Sequence, residues 1–182
     1  MTIMWVACAF NFYLTGILVK YFPGDFNMNN FVMFAFDIAA TLLAGWLCSI
    51  WKPKVFFTLF FSIAIVAGLS TLLFIDNANP GWGMPLLVGL CRFGVAGAFL
   101  GVWVNHAKMF PTLFVATSIG ISNIFARVFV VASPMIAEVT YPIPVIIFTF
   151  FNVIAGTSTL FLIDIEGENN KKFAAAGLQD KK

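Results

Sequence analysis

Three ionisable residues lie inside long apolar stretches of this sequence: Asp37, Arg92 and Arg127. A charge within a membrane span is energetically costly, so such residues usually pair with each other, face the interior of a helix bundle or serve a transport pathway. Asp37 can neutralise one guanidinium group, which leaves the second one in excess. A carbonyl, water or an organic anion would satisfy that excess charge. The pattern predicts either a buried ion pair that holds helices in register or a substrate site, for which Arg127 is the stronger candidate.

The composition around these charges indicates an integral membrane protein. The 182 residues are 61% hydrophobic and 10% charged, whereas soluble domains are about 45 to 50% apolar and about 25% charged. Turn-forming and charged residues separate apolar runs long enough to cross the hydrocarbon core of a bilayer. Residues 1–165 therefore form an all-α bundle of six predicted transmembrane helices, followed by a polar tail over 166–182. The helices are predicted over 4–21, 29–51, 54–75, 84–105, 112–136 and 142–164.

Each of the three charges belongs to a stripe of small or polar residues at helical spacing. The stripes are Asp37, Thr41, Gly45 and Cys48 in the second helix, Gly89, Arg92 and Ala96 in the fourth, and Gly120, Asn123 and Arg127 in the fifth. Small residues let helices approach closely, so we expect these faces to contact protein rather than lipid. Counted from the outer ends of the predicted helices, all three charges are roughly 12 Å deep and share one level.

The connectors sort into a basic and an acidic set, which predicts the orientation. The acidic set holds Asp25, Asp76 and Glu138. The basic set and the tail hold Lys52, Lys54, Lys108, Lys171, Lys172, Lys181 and Lys182. By the positive-inside rule, both termini are predicted to be cytoplasmic, or on the matrix side if the membrane is the mitochondrial inner membrane.

Two similar runs, 67–72 and 155–160, lie in the third and sixth predicted helices, and each is followed at the same distance by an Ile-Asp pair. Six-helix halves of secondary transporters are built as three-plus-three inverted repeats. The runs therefore indicate such a repeat, with chance similarity of short apolar segments as the alternative.

The scarcity of polar residues excludes several classes of function. A catalytic centre or a nucleic-acid surface needs polar groups that this chain hardly has, so we expect no enzyme, no cofactor and no nucleic-acid partner. His106 is the single histidine, and Cys8, Cys48 and Cys91 lack the close spacing of a metal site. His106 and Lys108 are predicted to be solvated residues of the fourth connector.

That connector and the fifth helix carry a recognisable pattern. They read Ala107-Lys108-Met109-Phe110-Pro111-Thr112, then Gly120-x-Ser122, Arg127-Val128 and Ser133-Pro134. This resembles the second-half signature of the organic ion transporters of the major facilitator superfamily, A-E-x-x-P-T-x-x-R-x-x-G-x-G-x-S-x-x-x-x-R-V-x-x-x-x-S-P. The resemblance covers helices seven to twelve of a twelve-helix transporter. It implies that Lys108, Pro111 and Thr112 form the cytoplasmic signature connector.

The resemblance also implies roles through matches and departures. Arg127 aligns with a position associated with substrate charge in the anion-preferring members. Lys108 stands where the signature has Glu, Val115 where it has Arg, and Ser118 where it has Gly. The carboxylate and the base that organise the cytoplasmic face of the family are therefore both absent from these positions.

Two functions follow as hypotheses. The lost signature charges favour a transporter-derived accessory or structural subunit of a larger membrane protein complex. The excess charge of Arg127 favours a half-transporter of the superfamily that moves organic ions, preferably anions, as a homodimer or with a separate first half. The expected partners are the lipid bilayer and either other membrane subunits or a second six-helix half. A fragment of a longer transporter is a third possibility.

Overall fold

The computed structural model describes residues 1–22, 24–74, 82–109 and 112–162. Within these residues the chain is helical. It forms α1 (Thr2–Leu18), α2 (Phe26–Ile50), α3 (Pro53–Phe74), α4 (Gly83–Met109), α5 (Thr112–Ala137) and α6 (Ile143–Ser158), which a 3₁₀ turn (Thr159–Phe161) extends. The predicted tail over 166–182 lies outside the described residues. So do Asp76 and Asp164, the aspartates that follow the two similar runs.

The expected all-α membrane fold is confirmed at this level. Helices α2 to α6 are long and apolar enough to cross a membrane. Helix α1 is apolar but shorter, with 17 residues, which is near the lower limit of the roughly 17 to 25 residues that span a bilayer. The chain is therefore an integral membrane helical bundle.

Several helix boundaries differ from the prediction, among them the ends of α1 at Leu18 and of α6 at Ser158. Two of the differences have an identifiable reason. Helix α2 begins earlier, because the Asp25 carboxylate accepts a hydrogen bond from the backbone N–H of Asn27 at 2.9 Å and caps the helix. Helix α4 continues past residue 105 to Met109. The Asn105 side chain donates to the carbonyl of Gly101 in the preceding turn at 2.9 Å, so it does not cap or end the helix. The prediction that His106 lies in a solvated connector is wrong, since it is helical and fully buried.

Helices α1 and α4 form the centre of the bundle, and their neighbours are arranged in parallel ways. Helix α4 packs against α2 and α3, and α1 packs against α5 and α6. The two central helices also contact each other, as do α3 and α6. The first three helices therefore have the same neighbour relations as the last three.

Glycine and phenylalanine form the contact between α3 and α4. Gly94, Gly97 and Gly101 lie on the face of α4 that packs against Phe56 and Phe60, both fully buried. A Cβ atom at Gly94 would lie 2.7 Å from the backbone nitrogen of residue 64 and 2.8 Å from the carbonyl oxygen of Phe60. Only glycine permits this approach of the two backbones, so this side of the bundle is closed within the chain itself.

The opposite side of the bundle is open. In the apolar span of α4, 61% of the residues are buried within the chain, compared with 28% in α2 and 11% in α5. Helices α2 and α5 flank the central pair and present most of their surface outward. Asp37 lies on α2, Arg92 on α4 and Arg127 on α5.

Candidate functional site

Asp37 and Arg92 form an ion pair between α2 and α4. The Nε–H of Arg92 lies 3.0 Å from both carboxylate oxygens of Asp37, and Nη2 lies 3.0 Å from Oδ2. The Arg92 side chain is 5% exposed and the Asp37 side chain 19%. The guanidinium group is therefore more deeply buried than the carboxylate, which reaches the surface of the bundle.

Helix α1 satisfies the rest of the Arg92 guanidinium group. Nη1 donates to the backbone carbonyl of Phe12 and to the hydroxyl of Thr15, the latter at 3.2 Å. The guanidinium carbon lies 3.4 Å from the centre of the Phe12 ring, in the arrangement of a cation–π contact. The stripe of Gly89, Arg92 and Ala96 is buried as expected. Arg92 therefore joins three helices, and its donors point at fixed acceptors.

Arg127 lies apart from this ion pair. It is exposed on α5, and Nη1 lies 3.5 Å from the hydroxyl oxygen of Tyr13 on α1. Among the residues that the structure describes, Asp37 pairs with Arg92 and not with Arg127. The two guanidinium groups nevertheless contact adjacent residues of α1, Phe12 and Tyr13, so they lie at a similar level of the bundle. Arg127 carries the excess positive charge.

The stripes on α2 and α5 are only partly covered within this chain: Asp37 contacts Arg92 and Cys48 is buried, but their other members are not buried. That these faces contact protein rather than lipid stays a prediction. Gly120 and Arg127 are exposed, and a Cβ atom at Gly120 would meet no atom within 4 Å. Thr41 and Gly45 are exposed as well. The physical reason is the number of neighbours: α4 has helices on several sides, whereas α5 packs mainly against α1.

An aromatic groove opens between α1, α2 and α4, beside the ion pair. Its volume is about 540 Å³. Its walls include Phe12, Phe34, Phe99 and Trp103, and Asp37 supplies the one ionisable side chain among its described lining residues. Because Phe12 lines the groove while the adjacent Tyr13 contacts Arg127, α1 lies between an apolar cavity and an exposed positive charge.

The signature connector lies at the opposite level, where α2 and α4 end and α5 begins. We call this the basic end, after Lys52, Lys54 and Lys108. Lys108 is in the last turn of α4, and its Nζ donates to the carbonyl of Cys48 near the end of α2 at 2.8 Å. Thr112 begins α5, and Pro111 lies outside the described residues.

Two positions that depart from the signature make contacts at this end. Ser118 Oγ lies 2.8 Å from Nε2 of His106, which links α5 to α4. Lys108 provides a cation for the unsatisfied carbonyls at the C-terminus of α2. The replaced residues therefore join helices within the bundle.

Sequence reasoning missed Phe12, Tyr13 and Thr15 as partners of the two arginines. Thr15 carried a signal, because it is a hydroxyl residue four positions after Asn11 in an apolar helix. The Phe12 carbonyl carried none, since a backbone acceptor has no sequence signature. His106 was also missed, and the continuous helical pattern through 105–109 was the signal for it.

Comparisons with known proteins find similarity to transporters of organic ions. The chain is 27% identical over 164 residues to human organic cation/carnitine transporter 2, covering 87% of the chain and 29% of that protein. It is 25% identical over 174 residues to mouse organic anion transporter 3, covering 90% of the chain and 31% of that protein. A search of protein-family profiles gives no match.

The resemblance to the organic ion transporters of the major facilitator superfamily is therefore confirmed as weak homology over most of the chain. The chain spans less than a third of the length of these relatives. The relatives are transporters and not enzymes. The bundle is similar in sequence to part of these transporters.

Proposed function

We propose that the chain is one half of an organic ion transporter and that a second six-helix bundle covers its open side. The observation that carries this proposal is Arg127. Its guanidinium group is exposed within a membrane span, and one phenol oxygen at 3.5 Å is its recorded contact. A charge at this level does not face lipid at low cost, so protein or a water-filled cavity lies against it. An organic anion entering that cavity satisfies the charge.

The neighbour relations support the three-plus-three inverted repeat as part of this proposal. Helix α2 packs against α4 as α5 packs against α1, and α3 packs against α4 as α6 packs against α1. The symmetry operation of an inverted repeat would superimpose the first pair of each comparison on the second. We propose in addition that the basic end is cytoplasmic, or on the matrix side, since Lys52, Lys54 and Lys108 lie there.

The accessory-subunit hypothesis is supported by a different observation. The Lys108–Cys48 and His106–Ser118 contacts join α4 to α2 and α5 with residues that replace or adjoin signature positions. A bundle kept for packing needs such fixed contacts and needs no gating charges. In that case Arg127 would contact a subunit of the complex.

Uptake measurements separate the two functions. The protein is solubilised gently with its bound partners, its assembled mass is determined, and it is reconstituted in liposomes. We expect uptake of radiolabelled benzenesulfonate that Arg127→Ala abolishes without loss of the assembly. Arg127→Lys, which keeps the charge, retains part of the uptake. Assembly lost in Arg127→Ala, with no uptake by the unmutated protein, would instead support the accessory subunit.

A further inference from the structure

The carboxylate of Asp37 is in a position to decide which charge the aromatic groove accepts. An unpaired carboxylate among aromatic rings is an attractive site for an organic cation, because Coulomb attraction and cation–π contacts act together. In this bundle the carboxylate is not unpaired. The Nε and Nη2 groups of Arg92 contact both of its oxygens at 3.0 Å from the buried side.

Arg92 is held in this neutralising position by contacts with α1. Its remaining terminal nitrogen donates to the Phe12 carbonyl and the Thr15 hydroxyl, and its planar group lies against the Phe12 ring. Its side chain is 5% exposed. Arg92 therefore contacts Asp37 from the buried side, and its remaining donors are directed at acceptors on α1 and not into the groove.

We infer that Arg92 is a positioning residue that determines ion specificity: by neutralising Asp37, it prevents the groove from selecting organic cations. The exposed guanidinium of Arg127, on the other side of α1, is then the uncompensated charge at this level and selects an anion. This inference rests on the proposed function, because it concerns the ion that the proposed transporter accepts. The Asp37–Arg92 ion pair therefore affects ion specificity because it leaves the groove without an uncompensated negative charge.

Two probes of equal shape and opposite charge test the inference. Phenyltrimethylammonium and benzenesulfonate share one aromatic ring, and their binding to the full chain in lipid nanodiscs is measured with radiolabelled compounds. Arg92→Met keeps the side-chain length and frees the carboxylate. We expect the ratio of cation to anion affinity to rise by roughly tenfold or more, as one uncompensated charge near a ligand would produce.

Two further variants separate selectivity from loosened packing. Arg92→Lys keeps a positive charge beside Asp37, so the ratio stays near that of the unmutated protein. The double variant D37N/R92M removes both charges, so the gain in cation affinity disappears although the packing defect remains. If Arg92→Met does not accumulate, Asp37→Asn alone decides, since the uncompensated Arg92 then raises the affinity for the anion and lowers the affinity for the cation.

The outcomes distinguish this inference from the proposed function. In one outcome, Arg127→Ala loses anion binding while neither Arg92→Met nor Asp37→Asn changes the ratio of cation to anion affinity. In that case the inference is overturned and the transporter proposal stands. If the unmutated protein shows no uptake but Arg92→Met gains cation binding, the transporter proposal fails and the inference stands. Absence of binding of both probes in every variant overturns both.

Discussion

Helices α4 and α5 each carry one arginine at the level of Phe12 and Tyr13 of α1, and they hold it in opposite surroundings. Arg92 is buried, paired with a carboxylate and packed against an aromatic ring. Arg127 is exposed and contacts one phenol oxygen. Both belong to stripes of small and polar residues with the same spacing. The difference lies in the neighbours, because α4 is surrounded within the chain and α5 packs mainly against α1.

This comparison separates two kinds of intramembrane charge. The charge on α4 is satisfied by the chain itself and contributes to its stability and to the electrostatics of the groove. The charge on α5 depends on something outside the bundle, whether substrate, water or another protein surface. Substitutions on the two helices should therefore affect different measurements, stability for α4 and binding or uptake for α5.

The largest difference in unfolding free energy between the two helices should come from substituting one glycine in each of them. A Cβ atom at Gly94 would lie only 2.7 and 2.8 Å from backbone atoms of α3. The side chain of Gly94→Leu therefore forces the two helices apart. We expect a loss of more than about 4 kcal/mol of unfolding free energy, or no folded protein. Gly120→Leu on α5 is the matched control, because a Cβ atom there meets nothing within 4 Å. It should cause no loss, and a gain of up to about 0.8 kcal/mol is expected because leucine has a higher helix propensity than glycine. Denaturant titration in detergent measures both, and equal losses would show that the two helices are packed alike.

The arginines give the second largest difference. Arg92→Ala leaves the Asp37 carboxylate partly buried without its partner, and breaking such a pair costs roughly 3 kcal/mol. Arg127→Ala removes an exposed side chain and should change the unfolding free energy of the isolated bundle by less than about 1 kcal/mol. The same denaturant titration measures these values. A cost for Arg127→Ala as large as that for Arg92→Ala would mean that α5 is covered within this chain after all.

The sequence predicted the helices and the meeting of a carboxylate with a guanidinium, because both follow from strong physical costs. Apolar runs of this length cross a bilayer, and Asp37 alone at its depth would be expensive. The sequence could not say which arginine pairs with it. Arg92 and Arg127 have equivalent depth and equivalent stripes, and the choice depends on helix neighbours that periodicity does not encode.

The role of these residues in binding and that of the signature connector stay predictions. For the connector, residue types alone suggested lost function, since Lys108 replaces an acid and Ser118 a glycine. The contacts of Lys108 with Cys48 and of Ser118 with His106 depend on α4 reaching Met109. The prediction ended this helix at residue 105, whereas the Asn105 side chain donates to the Gly101 carbonyl of its own helix and the helix continues.

The smallest predicted effect concerns the direct link between the two compared helices. Ser118→Ala removes the hydroxyl that lies 2.8 Å from His106 Nε2, so α5 loses a hydrogen bond to the buried end of α4. We expect a loss of about 1 kcal/mol of unfolding free energy, the usual net value of one such bond. Thr117→Ala is the matched control, because Thr117 is adjacent, also loses a hydroxyl and is exposed. Denaturant titration of the two variants against the unmutated chain checks the difference. An equal effect of both substitutions would contradict the hydrogen bond between α4 and α5. A selective effect of Ser118→Ala would show that this bond joins α5 to the buried helix α4 at the basic end. Arg127 of the same helix would still lie on the open side of the bundle.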